Sequence, residues 1–238
     1  MSNINKIVLA TAKGAVGQLP IVGGLISEYI GLAAENIASK RQEEWINMIE
    51  EKLVKLECEM SKIADNEFLY SCIQIATVGA LKAHQKGKRE IFANAIYNAF
   101  VLTDIAEEKR EIFISLIDRY TLSTIRVLKC YSEDGYSKYN NKKIQERNNQ
   151  SNNMFETYSS PSQEMPIEYI NAEIPELRNE PSLVQTITTQ LYADGLIQRV
   201  DFAMPRYPDE TRRKRTTTLG DEFIRFIATN DEENSNDG

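Results

Sequence analysis

Four consecutive basic residues, Arg212-Arg213-Lys214-Arg215, and an upstream run of small polar side chains, Gln185, Thr186 and Thr189, are the residues best suited to chemistry with a partner. Cationic groups on a loop neutralise phosphates or enter a minor groove, and amides and hydroxyls on one helix face can read base edges. The same groups also serve protein contact. A second candidate is the glycine-rich opening, uncharged between Lys13 and Glu28. There Leu19, Ile21, Val22, Leu25 and Ile26 would form one apolar surface for a membrane or a partner. Catalysis has no such foothold. His84 is the single histidine, so no Cys–His or Ser–His–Asp set can be assembled, and no phosphate-loop or dinucleotide-loop spacing is present. These residues predict a non-enzymatic protein with no metal and no cofactor.

The elements that must carry these residues can be read from apolar periodicity. Leu183, Ile187 and Leu191 recur at steps of four and predict the buried face of a helix opened by Pro181, a position where proline is tolerated. Asp194-Gly195 stops it, and Leu196 to Phe202 reads as a strand. The charged loop then turns, and Thr216 to Gly220 returns as a strand and caps a last helix with Phe223, Ile224 and Ile227. Helix, strand, charged turn, strand, helix is the order of a winged helix with a small β-hairpin wing. Leu122, Ile125 and Leu128 mark a helix to pack beneath it.

Upstream, nearly everything reads as helix. From Ser39 to Ile63, Trp45, Ile49, Leu53, Leu56, Met60 and Ile63 form one stripe, with Glu and Lys on the rest. Asp65 or Asn66 should cap the next helix, with Phe68, Leu69, Cys72, Ile75 and Ala76 inward. Ile91 to Phe100 mark a third helix, and Ile112, Phe113, Leu116 and Ile117 a fourth. The fold class expected is mainly α: an N-terminal antiparallel helical bundle over 1–117, then a winged helix over 118–228. An Asn-rich insertion near 132–165 has too few apolar groups to order itself and predicts disorder, as does an acidic tail over 229–238.

The formal charge of −7 argues against broad polyanion binding, and a 42% hydrophobic share is that of a globular protein. Cys58, Cys72 and Cys130 show no paired spacing and read as small buried apolar residues in a reducing compartment. No signal peptide or membrane-spanning run is evident, which sets the expected location as cytoplasmic.

The order Gly195-Leu196-Ile197-Gln198-Arg199, wing arginines, then Leu219-Gly220 resembles bacterial regulators of the MarR type. That resemblance implies Arg212 and Arg213 in a minor groove and Gln185, Thr186 and Thr189 facing bases. Charge argues the other way. There is no Lys or Arg from Ser182 to Ile197, Glu176 and Glu180 precede the helix, and Pro166 to Ala228 holds eight basic against ten acidic residues. Protein contact is the favoured use. The Ile117-Asp118-Arg119-Tyr120-Thr121-Leu122 junction and the Leu219-Gly220-Asp221-Glu222-Phe223 close also resemble the abortive-infection alpha group of bacterial phage-defence proteins. The function expected is non-enzymatic defence through a protein partner or self-association. Alternatives are a DNA-binding regulator and an effector that meets a membrane on activation.

Overall fold

Helices dominate because the chain places apolar side chains three and four residues apart over long stretches. The computed structural model describes residues 36–54, 67–135, 137, 138, 141, 165–200 and 214–229. We number its helices α1 (Asn36–Val54), α2 (Glu67–Lys82), α3 (Lys86–Val101), α4 (Glu107–Arg119), α5 (Leu122–Cys130), α6 (Met165–Glu173), α7 (Pro181–Ala193) and α8 (Thr218–Ile227). A 3₁₀ turn, Pro175–Leu177, precedes α7. Contacts divide the chain between Arg119 and Tyr120 and again between Arg225 and Phe226, giving two units, the first discontinuous in sequence.

In the first unit α3 is the central element, packing on α1, α2 and α4. Its small residues Ala93, Ala95 and Ala99 are fully covered and let its neighbours come close, and the Phe92 ring lies against Gly79. Trp45 and Ile49 of α1, Cys72, Ile73 and Ala76 of α2, and Phe113, Ile114 and Ile117 of α4 complete the core. Phe226 joins it, its ring 5.5 Å from Phe113.

The ends of these helices are closed by buried side chains. Arg89 donates to the carbonyls of Ala83 at 2.8 Å and His84 at 3.3 Å and pairs with Glu44. Arg110 donates to Ala99 O and lies over the Phe68 ring at 4.7 Å. Asn98 donates to Phe226 O at 2.8 Å and Ala228 O at 3.0 Å, and Asn94 to Ile227 O at 3.3 Å. Carbonyls at the end of α8, which lack partners within their own helix, are thereby satisfied.

The second unit packs α5 on α6 and α7, with the 3₁₀ turn against α6 and α7. Tyr131, Ile170, Ile174, Leu177, Val184, Leu191, Leu196, Ile197 and Phe223 are its core. Cys130 is buried here as Cys72 is in the first unit. Burial pushes both thiols up to about 12.

Several apolar residues depart from the expected faces, half-buried Phe68, Leu122 and Ile224 among them. Ile112 is exposed, because α4 buries the stripe Phe113, Ile114, Leu116 and Ile117, and one residue earlier is 100° round the helix. Ile75 is half-buried and Ile73 takes its place inside. Leu183 is exposed and Val184 buried, so the inner stripe of α7 is Val184, Ile187, Thr188 and Leu191. Thr188 can lie inward because its hydroxyl donates to Val184 O at 2.8 Å and is 3.3 Å from the Tyr131 hydroxyl. Leu56, Met60, Ile63, Cys58, the caps at Asp65 and Asn66, most of the Asn-rich stretch and the acidic tail lie outside the described residues.

Candidate binding face

Helix α7 stops where the sequence says it should. Gly195 adopts φ +75°, Leu196 N donates to Leu191 O at 3.0 Å, and Gly195 N donates to Tyr192 O at 2.9 Å. This is the paired closure of a glycine-terminated helix, and it needs a residue tolerant of the left-handed region. The chain then runs into an isolated antiparallel bridge, Ile197 to Thr216. Gln198 N donates to Arg215 O at 2.7 Å and Thr217 N to Leu196 O at 3.0 Å.

The start of α8 is locked to that bridge. The Thr217 hydroxyl accepts from Gly220 N at 3.1 Å and donates to Gly195 O at 2.6 Å, so one side chain caps α8 and ties it to the end of α7. Gly220 has no alternative here, since a Cβ would sit 2.0 Å from Leu196 O. Asp221 accepts from Thr216 Oγ1 at 2.5 Å and from Lys214 Nζ at 2.8 Å. Tyr120, wholly buried, donates to Asp194 Oδ2 at 2.5 Å and sets its ring edge-on to Phe223 at 6.1 Å. Thr121, the next residue, caps α5 by accepting from Thr124 N at 3.1 Å.

With its inner stripe and its carboxyl end fixed, α7 presents a fully uncharged outer face. Gln185, Thr186 and Thr189 are all exposed on it, with Ser182 and Ala193. Leu183 and Tyr192 flank them, 45% and 48% exposed, more than nearly every other large apolar side chain described. Thr186 and Thr189 each donate to a carbonyl of their own helix, Ser182 O and Gln185 O, at 2.8 Å. They offer methyl groups and acceptor lone pairs outward and no fixed charge.

Three basic residues of this unit have a different setting, while Lys129, Arg178 and Arg199 are exposed. The Lys214 ammonium is raised above its ordinary value by the hydrogen bond and charge of Asp221, with Glu133 adding to the same effect. Arg215 is half-buried, and its main-chain N–H donates to Tyr131 O at 2.8 Å. Arg126 donates to both Glu176 carboxylate oxygens at 3.2 and 3.3 Å and to Glu173 O at 2.6 Å. The Glu176 carboxyl is held below the carboxylate range by its own main-chain N–H and then by Arg126. Glu180 is exposed at the start of α7.

The structure thus brings Gln185, Thr186 and Thr189 onto one exposed face and sets Lys214 and Arg215 at the bridge. Arg212 and Arg213 lie outside the described residues, as do Leu19, Ile21, Val22, Leu25 and Ile26. The sequence reading missed Tyr120, Thr217 and Asp221 as the groups that hold this face in place. A Thr immediately before Thr218-Leu219-Gly220 is an N-cap residue type that could have found Thr217; Asp221, four residues on, is outside the three-residue spacing of a capping box. Among the described residues no cluster of three or more His, Cys, Asp or Glu could hold a metal ion. No described helix is long and apolar enough to cross a membrane. No protein-family model matches this chain, and neither does any curated protein or solved structure.

Proposed function

We propose that residues 120–225 act as a winged helix used for protein recognition, with the outer face of α7 as the contact surface. The observation that carries this reading is the make-up of that face: exposed Leu183 and Tyr192 beside Gln185, Thr186 and Thr189, with no Asp, Glu, Lys, Arg or His from Ser182 to Ala193. Protein interfaces are poor in charge at their centre and enriched in aromatic side chains, whereas duplex DNA is held chiefly by cations on phosphates. The antiparallel bridge after Gly195, and the cap that follows it, support the winged-helix part of the proposal. The resemblance to abortive-infection proteins supplies a setting, non-enzymatic bacterial phage defence.

The test is affinity purification of the full chain from its host, native against T186E/T189E, with nucleic-acid content measured. Two glutamates on an exposed helix face shift stability by less than about 0.5 kcal/mol, so melting should be unchanged. A stoichiometric protein partner present with the native chain and absent with the variant is the expected result. Equal recovery from both, or nucleic acid in place of protein, would refute the proposal.

A further inference from the structure

Three carboxylates of the second unit either pair with its basic side chains or stand at the start of α7. Glu176 holds Arg126 through both its oxygens. Asp221 holds Lys214, the first described residue after Arg212 and Arg213. Glu180 sits exposed at the residue preceding α7, and it makes no side-chain cap to its own helix. A helix start is where phosphate oxygens are otherwise welcomed by free N–H groups and by the helix dipole, and a carboxylate there opposes them.

We infer that Glu176, Glu180 and Asp221 are specificity-determining residues that exclude nucleic acid from this unit, so that its uncharged α7 face meets protein. The inference rests on the protein-binding reading above. Discrimination of this kind is a difference between two affinities, and building repulsion against the wrong partner is one of the two ways to obtain it. Each element of the arrangement has a charge consequence. A neutral amide at 221 can still accept from Thr216 and Lys214, but the ammonium is then no longer neutralised. An amide at 176 does the same for Arg126. An amide at 180 removes the carboxylate that directly precedes α7 and leaves exposed Arg178 nearby in the chain.

The experiment uses the full chain and a duplex of 20 base pairs of arbitrary sequence, at low salt and again at physiological salt. Native protein is compared with E176Q/E180Q/D221N and with a control, E67Q/E108Q/E111Q, that removes three exposed carboxylates from the first unit. The expected result is no shift for native protein and control, and for the triple variant a binding at least about tenfold tighter that weakens steeply with salt. Thermal melting of each variant checks that the fold is kept, and E176Q/E180Q alone covers the case in which D221N destabilises α8. If neither native protein nor the second-unit variants bind DNA, the inference is overturned and the protein-binding reading stands. If the control gains binding as the triple variant does, overall charge and not these residues excludes DNA, which also overturns it. If native protein binds DNA as tightly as the variant, both readings fall.

Discussion

The two units close their helices in opposite ways. In the first, the closing groups are long and buried: Arg89, Arg110, Asn94 and Asn98 reach across from one helix to the carbonyl end of another segment. In the second the caps are short side chains: Thr121, Thr217 and Ser132 each bond within three residues of themselves, although Thr217 also reaches Gly195 O, and Tyr120 to Asp194 and Arg126 to Glu173 O are long-range. A cap that crosses between helices makes each end depend on a distant residue and consumes the surface between them. A local cap leaves helix faces unspent. This difference accounts for why the outward, uncharged face is found on α7, while α3 is covered almost all round.

The comparison can be broken first at Gly220. Gly220→Ala drives a Cβ into the Leu196 carbonyl, a main-chain atom with no freedom to give way, and should cost about 3 kcal/mol or more. Hydrogen exchange should accelerate in Leu191–Ile197 and at the start of α8. An unchanged melt would mean that α8 does not seat on the bridge. The counterpart in the first unit is Asn98→Leu, which keeps the branched shape but strips the donor from Phe226 and Ala228. Leaving those carbonyls dry should cost about 2 kcal/mol. Faster exchange is expected in α3 and α4, and loss confined to α5 and α7 would contradict the assignment of Phe226 to the first unit.

The smallest effect concerns the buried thiols. Cys72 ionises at about 12 when folded against an ordinary 9.0, so above pH 9 the unfolded chain loses that proton first and binds fewer protons than the native one. Its contribution is complete below pH 9 and is lost as pH rises toward 12. Replacing Cys72 with Ala should therefore flatten the alkaline fall in stability by about 1 kcal/mol at pH 10. Denaturant melts at pH 7 and pH 10 read this directly, and an identical pH slope in both proteins would count against burial of the thiol.

Local grammar was legible in the residues. The glycine stop at Gly195 and the stripe of Trp45 and Ile49 follow from pattern alone, because each depends on neighbours along the chain. The position of Leu183 was not legible, because a stripe with leucine looks more apolar than one with Thr188, and only the structure shows that hydroxyl bonded back to Val184 O. Arg89, Arg110, Asn94 and Asn98 were invisible for a related reason. Polar residues read as surface until the helix end that each one satisfies is known, and those ends lie far off in sequence. On the candidate face, Gln185, Thr186 and Thr189 could be singled out by type, yet nothing in their spacing revealed that Tyr120 and Thr217 hold the helix that carries them.

Asn98 and its acceptor Phe226 O are 128 residues apart in the chain. On the ribosome that separation is a waiting time. At synthesis rates of about 5–20 residues per second, α3 and α4 emerge many seconds before the segment that fills the gap beside Phe113 and meets the two asparagine amides. The whole of the second unit is translated in between. The first unit therefore cannot finish its core while its own helices are being made, and a nascent chain stalled before residue 226 should expose Phe113 and attract chaperones until translation resumes.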